Sequence, residues 1–160
     1  MWQRVRQFTT AGAKPTDGDI SFARDRLGAP LFDLFETQHP RDMVHGVNTA
    51  RWLVARGYDN PDLLAAALLH DVGKGDQRRL DRVAYVVSEW LNIERVAGSR
   101  HSRLGVRRAM ARSRDHSEAG AQMLREAGAG GVVIDLTLKH HSEAGGDAML
   151  ALLQAADAAN

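Results

Sequence analysis

The chain has 160 residues, a formal net charge of +1, 44% hydrophobic and 26% charged residues, and no cysteine. These values are typical of one globular domain, and they exclude a disulfide framework, a cysteine nucleophile and a cysteine zinc site. The small net charge gives no general argument for a nucleic-acid or membrane partner, and no apolar run approaches the roughly 18 residues of a membrane span. Because residues 1–10 lack the apolar core of a signal peptide, we expect a cytoplasmic protein.

Short helices are predicted in the N-terminal third of the chain, over residues 1–10, 20–27 and 29–37, with a linker over 11–19. Apolar residues recur at helical spacing in these segments, as in Leu31, Leu34 and Phe35. We expect residues 1–38 to form a helical extension that packs on a main domain of residues 39–160. The pattern leaves open whether the extension also acts as a lid.

An amphipathic helix is predicted over residues 41–56, with Gly57 as its C-terminal cap. His45 lies on one stripe of this helix with Asn48, Thr49 and Trp52. A single histidine on such a stripe is more often a core or surface residue than a ligand. His39 competes with His45, but it precedes a proline outside the helix.

The stretch from Leu63 to Lys74 is an apolar helix that ends in His70 and Asp71, and Asn60 is its predicted N-cap. A buried carboxylate costs several kcal/mol unless it pairs with or coordinates a cation. A divalent metal is one such partner, and a local hydrogen bond at a capped helix end is the simpler one. Lys74 would lie on the same side as Asp71, where a cation beside a metal suits a phosphate.

Residues 80–97 are predicted to form a helix with an apolar core face, and six arginines follow within residues 99–114. A basic stretch of this kind is either a solvated helix face or a phosphate-binding surface. Arg100 and Arg103 are the candidates for substrate contact. No aromatic residues are interleaved with the arginines, so the stretch does not support binding of single-stranded nucleic acid.

A new helix is predicted to begin at residue 115, where Asp115 would act as its N-cap and Glu118 would complete a capping box. This assignment places His116 at the first helical position. A further helix over residues 132–141 ends in two adjacent histidines, His140 and His141.

The last helix is predicted to begin after Asp147, and Asp157 lies on its apolar stripe with Leu150, Leu153 and Gln154. A charged residue on a core stripe needs a partner. A metal ion is the natural partner for Asp157.

One ordered set of histidines, aspartates and a lysine runs through these helices: His45, His70-Asp71, Lys74, His116, His140-His141 and Asp157. This order resembles the HD-domain superfamily of metal-dependent phosphohydrolases, and the resemblance covers residues 41–159. It implies an all-α fold, a compact helical bundle of the HD-domain type with a few short N-terminal helices.

The resemblance also implies how the ligands are divided between two metals. The first metal would be held by His45, His70, Asp71 and Asp157, and the second by the extra histidines His116, His140 and His141. Imidazole and carboxylate ligands suit iron, manganese, zinc, cobalt or nickel and do not distinguish among them.

A metal-activated hydroxide would then hydrolyse a phosphate ester or anhydride of a small molecule, for which we expect a nucleotide. Asp71 would bridge the metals and orient the hydroxide, and Lys74 would neutralise charge on the phosphate. Both are therefore candidate catalytic residues. Neither nucleic acid nor a membrane is expected as a partner.

Two departures from the family pattern narrow the expected number of metals and the expected substrate. Members with three metals carry a glutamate four residues before the first histidine, where this chain has Arg41, so a third metal is not expected. The cyclic-di-GMP phosphodiesterases carry a Gly-Tyr-Pro signature in the loop that here spans residues 142–146 and lacks it. Cyclic-di-GMP is therefore not the expected substrate.

Three alternatives stay open at the level of sequence. A few relatives with a similar histidine set use two irons to activate oxygen. A non-catalytic sensor module would keep metal and nucleotide binding without turnover. A structural helical bundle with incidental histidines would bind no metal.

Overall fold

The computed structural model describes residues 14–74 and 105–160, and within residues 105–115 it describes the backbone alone. The predicted helices over 1–10 and 80–97, and the candidate contacts Arg100 and Arg103, lie outside the described residues.

The described residues form seven α-helices, one short 3-10 turn and no β-strand. The all-α prediction is therefore confirmed, and the arrangement is compatible with an HD-type helical bundle. The helices are α1 (Asp17–Arg24), α2 (Ala29–Glu36), α3 (Pro40–Val54), α4 (Pro61–Leu69), α5 (Gly105–Glu126), α6 (Gly131–Lys139) and α7 (Ala148–Ala158), with the 3-10 turn Val72–Lys74 after α4. Within the described ranges, no helix has both the length and the apolar character needed to cross a membrane.

Helix α4 lies at the centre of the fold. Every residue from Leu63 to Leu69 is buried, and α4 packs against α3, α6 and α7. A helix that is apolar on all sides is stable in water only when neighbours surround it. The polar residues at its C-terminal end, His70 and Asp71, are consequently delivered into the interior.

Helices α1 and α2 contribute Ala23, Phe32 and Phe35 to the same hydrophobic core as α3 and α4. The buried Asp19 forms an ion pair with Arg51 of α3. These contacts fix the described part of the N-terminal third against the bundle. The domain division at residues 38 and 39 stays a prediction.

Two backbone crossings bring neighbouring segments close to the end of α4. A Cβ atom on Gly46 would lie 2.7 Å from the carbonyl oxygen of Leu68. A Cβ atom on Gly73 would lie 2.6 Å from the backbone nitrogen of Gly120 and closer still to the carbonyl oxygen of His116. Only glycine permits such approaches. The two crossings place α3 and α5 directly beside the His70-Asp71 pair.

The predicted helix start at Asp115 is wrong, because α5 runs without a break from Gly105 to Glu126. Neither glycine nor proline occurs between Val106 and Ala119, so nothing in the chain stops the helix there. The Asp115–Glu118 spacing imitates a capping box inside a continuous helix. His116 therefore lies in the middle of a helix rather than at its first position.

Other helix limits also differ from the prediction, most clearly those of α1 and α6. Helix α1 begins at Asp17, within the predicted linker over 11–19, because Thr16 and Asp19 form a capping box. Helix α6 ends at Lys139, so His140 is its C-cap and His141 lies in the turn that follows.

The Asn60 cap contributes to the stability of the helix that carries His70. Its Oδ1 accepts hydrogen bonds from the backbone N–H groups of Asp62 and Leu63, at 3.0 and 3.1 Å. We expect Asn60→Ala to lower the free energy of unfolding by about 1 kcal/mol, and Asn60→Gly to lower it by only about a few tenths. Urea denaturation measures both, and equal losses in the two variants would contradict a capping role.

Candidate metal centre

Six potential metal ligands gather in two groups at the C-terminal end of α4. The first, called here the Asp157 group, consists of His45, His70 and Asp157. The second, called the three-histidine group, consists of His116, His140 and His141. Within each group, one ligand atom from every residue lies within 4.8 Å of the others.

The Asp157 group joins three helices. His45 Nε2, from α3, lies 2.7 Å from Oδ1 of Asp157, from α7. His70 Nε2, at the end of α4, lies 3.5 Å from the same oxygen. The other ring nitrogen of His70, Nδ1, donates to the carbonyl oxygen of Ala67 at 3.0 Å. That hydrogen bond fixes the ring so that Nε2 is presented to the group.

The three-histidine group is built from α5 and the end of α6. His116 Nε2 lies 3.0 Å from His141 Nε2 and 3.4 Å from His140 Nε2. His140 Nδ1 donates to the carbonyl oxygen of Thr137 at 2.6 Å, which again presents Nε2 to the group. The rings of His140 and His141 lie 3.9 Å apart, measured between centroids.

Asp71 lies between the two groups. Its Oδ2 is 3.6 Å from His70 Nε2 of the Asp157 group. Its Oδ1 is 3.9 Å from His116 Nε2 and 3.8 Å from His140 Nε2 of the three-histidine group. One carboxylate therefore presents one oxygen to each group. Lys74 Nζ also donates to Oδ2, at 2.6 Å.

Two buried polar atoms of this centre make no hydrogen bond within the described part of the chain: His70 Nε2 and Asp71 Oδ1. Both residues are almost fully buried, with 1% and 4% of their surface exposed. A buried polar atom without a partner is unfavourable, by roughly 1–3 kcal/mol, and needs an explanation. A divalent cation is a suitable partner for an imidazole nitrogen and for a carboxylate oxygen, so the residues present fit a metal.

The carboxylates of the centre favour the ionised form that binds metal. Burial raises the pKa of Asp71, but the neighbouring His70 and Lys74 outweigh burial and hold that pKa below its ordinary value. Burial likewise acts to raise the pKa of Asp157, but the hydrogen bond with His45 and the nearby imidazole of His70 lower it overall. Both carboxylates are therefore negatively charged at neutral pH.

The histidines of the two groups differ in their affinity for protons. Burial lowers the pKa of His140 to about 3. Burial also lowers the pKa of His141, and the nearby His116 lowers it further. Burial works in the same direction on His70, but the carboxylates of Asp157 and Asp71 outweigh it and raise its pKa. His140 and His141 thus keep a free nitrogen lone pair at neutral pH, as metal binding requires.

The structure brings together all the residues that the sequence analysis named as ligands: His45, His70, Asp71, His116, His140, His141 and Asp157. Lys74 joins them through Asp71. His39 does not, since it caps α3 with its Nδ1 accepting from Arg41 N, outside both groups. The roles of these residues in ligation and catalysis stay predictions.

Sequence reasoning missed three polar residues that hold the backbone of the centre. Gln154 Nε2 donates to the carbonyl oxygens of His140 and Ser142. Thr49 Oγ1 donates to the carbonyl oxygen of His45, and Gln38 Nε2 donates to that of Leu68. Gln154 gave a signal in the sequence, because a glutamine on the apolar stripe of Asp157 also needs a partner.

The chain matches the family model described as HD domain over residues 43–159, which is more than half of its length. No curated protein and no solved structure shows a significant match to it. The matched range includes both ligand groups, Asp71 and Lys74. The chain therefore belongs to the HD domain family, a superfamily of metal-dependent hydrolases.

Proposed function

We propose that this protein is a metal-dependent phosphohydrolase with a centre for two divalent transition-metal ions. Its substrate would be a phosphate ester or anhydride of a small molecule, namely a nucleotide. The position of Asp71 is the observation that carries the proposal. A buried carboxylate with one oxygen facing each of two three-ligand groups is an arrangement suited to binding two neighbouring cations.

The Asp157 group would hold one ion and the three-histidine group the other, with Asp71 shared between them. The nitrogen and oxygen donors suit iron, manganese, zinc, cobalt or nickel. Ions bound there supply Lewis-acid chemistry, since they lower the pKa of water towards neutrality and stabilise negative charge on phosphate oxygens.

The protein's own groups orient the reaction. The ionised Asp71 accepts a hydrogen bond from the attacking water and so orients a lone pair of the water oxygen towards phosphorus. Hydrolysis forms a bond from the water oxygen to phosphorus and breaks the bond from phosphorus to the leaving-group oxygen. The fixed orientation of His70 and His140, each held by a backbone carbonyl, keeps the centre from reorganising as charge develops.

Lys74 is suited to receive the phosphate. Its side chain is 43% exposed, whereas that of Asp71 is 5% exposed, so Lys74 extends from the buried carboxylate to the surface. An ammonium group at this boundary attracts a phosphate from solvent and neutralises part of its charge. His141 of the three-histidine group is also exposed. The choice of a nucleotide as the phosphorylated molecule rests on the HD-domain motif order.

Elemental analysis and a substrate screen test the proposal together. We expect freshly purified protein to contain about two equivalents of transition metal, since the centre has two ligand groups. It should hydrolyse at least one member of a panel of nucleoside mono-, di- and triphosphates and cyclic nucleotides, with release of phosphate or pyrophosphate or, for a cyclic nucleotide, formation of the nucleoside monophosphate. His70→Ala should lose both metal and activity, and the control His39→Ala, which lies outside both groups, should retain both.

Four other results of these two measurements would each lead to a different conclusion. One equivalent of metal would contradict the two-metal centre. No metal after purification or reloading would overturn the hydrolase proposal. Two irons with oxygen consumption and no phosphate release would favour oxygen activation. Two metals with neither activity would favour a sensor module.

A further inference from the structure

Gln154 connects the two ligand groups, although it belongs to neither. It lies on α7, three residues before Asp157 and therefore close to it on the same helix. Its Nε2 donates to the carbonyl oxygen of His140 at 3.1 Å and to that of Ser142 at 2.6 Å. One side chain on the helix of Asp157 thus holds the backbone on both sides of His141.

The carbonyl groups at the end of α6 have no partners within the helix. The turn is closed by one backbone hydrogen bond, from Ser142 N to the carbonyl oxygen of Lys139 at 2.7 Å. The two bonds from Gln154 are the additional attachments that join this turn to α7. Because the turn carries both His140 and His141, its position decides where their rings lie.

The two histidines depend on this attachment to different degrees. His140 is buried and its ring is also held by the carbonyl oxygen of Thr137. His141 is exposed, and among the described residues its ring hydrogen-bonds to His116 alone. The backbone that Gln154 fixes is therefore the principal constraint on the position of His141.

We propose that Gln154 is a positioning residue that holds His141 in the three-histidine group and so controls the affinity of that group for its metal. The inference rests on the proposed two-metal function. Gln154 acts through the turn and touches neither the metal nor the substrate. Losing it should weaken the second metal while the Asp157 group keeps the first.

The test is a titration of metal-free protein with Co²⁺, in which calorimetry and visible absorption monitor the binding of each equivalent. Gln154→Met keeps the length of the side chain but removes the donor. We expect its second equivalent to bind about 10- to 100-fold more weakly than in the wild type, the usual effect of losing an outer contact of a metal site. The first equivalent should bind with unchanged affinity.

Gln122→Met is the matched control, because Gln122 is also half-buried on a helix and, among the described side chains, bonds only to Glu126 and Arg125. It should leave both equivalents unchanged. Gln154→Glu, which keeps the shape and cannot donate when ionised, should reproduce Gln154→Met and provides a second variant if that one folds poorly. A merely structural role would lower the melting temperature and weaken both equivalents alike.

The outcomes separate this inference from the proposed function. Two equivalents of unchanged affinity in Gln154→Met would overturn the role of Gln154 and leave the two-metal proposal intact. A single equivalent in both wild type and variant would overturn the inference together with the two-metal centre. No binding in the wild type would overturn the proposed function itself.

Discussion

Asp71→Asn should abolish hydrolysis, with a fall in kcat/KM of about 1000-fold or more, since a catalytic metal stabilises the transition state by several kcal/mol and each 1.4 kcal/mol is tenfold in rate. The amide keeps the shape of the side chain but removes its negative charge. Asp71 is the one carboxylate within 4 Å of both ligand groups among the described residues. Its neutralisation should therefore reduce the metal content of both groups, as measured by elemental analysis beside the rate assay.

Asp135→Asn is the control for this substitution. The side chain of Asp135, on α6, is 47% exposed and pairs with Lys139 one turn away at 2.8 Å, an ion pair near the surface of little energetic consequence. This variant should keep its metal and its activity. An Asp71→Asn protein that retained two equivalents and most of its activity would refute the bridging position of this carboxylate.

Gly73→Ala should destabilise the fold by about 3 kcal/mol or more, at the upper end of the cost of overpacking a core. The added methyl group would meet the backbone of α5 at His116 and Gly120, and backbone cannot rotate away as a flexible side chain can. To admit it, the Val72–Lys74 turn and α5 would have to separate. Urea or thermal denaturation of the metal-free protein measures the loss.

The matched control is Gly131→Ala at the start of α6, where a Cβ atom would meet nothing within 4 Å. It should be neutral or slightly stabilising, because alanine is the better helix former. If Gly73→Ala unfolds at the same denaturant concentration as Gly131→Ala, the close approach of the turn to α5 is wrong. A Gly73→Ala protein that still folds should bind metal less tightly, since His116 and Asp71 would lie further apart.

The order of the ligands along the chain was enough to predict which residues meet. Residues as far apart as His45 and Asp157 carry no local sign of their 2.7 Å contact, and the HD-type order of motifs supplied it. Helical periodicity alone places each residue on a face of its own helix. It does not state which faces meet, because that depends on packing between distant segments.

Local signals predicted some helix ends well and others poorly. The Asn60 and Asp147 caps occur where expected, because each side chain bonds to the first free N–H groups of its helix. At Asp115 the same kind of signal failed, since an N-cap residue begins a helix only where the preceding chain is not already helical. The close backbone contact at Gly73 had no local signal of this kind.

The contact with Gly73 holds the continuous helix α5 at one place along its length, and the two ends of α5 lie at different distances from it. The backbone of α5 meets the turn between His116 and Gly120, and Gly120 is taken as the fixed point. At 1.5 Å per residue, Gly105 lies about 22 Å from Gly120, and His116 only about 6 Å. A tilt of α5 that swings its arginine-rich end by several ångströms therefore moves His116 by about a quarter as much. A displacement at the far end of this helix would therefore reach the candidate metal centre only in reduced form.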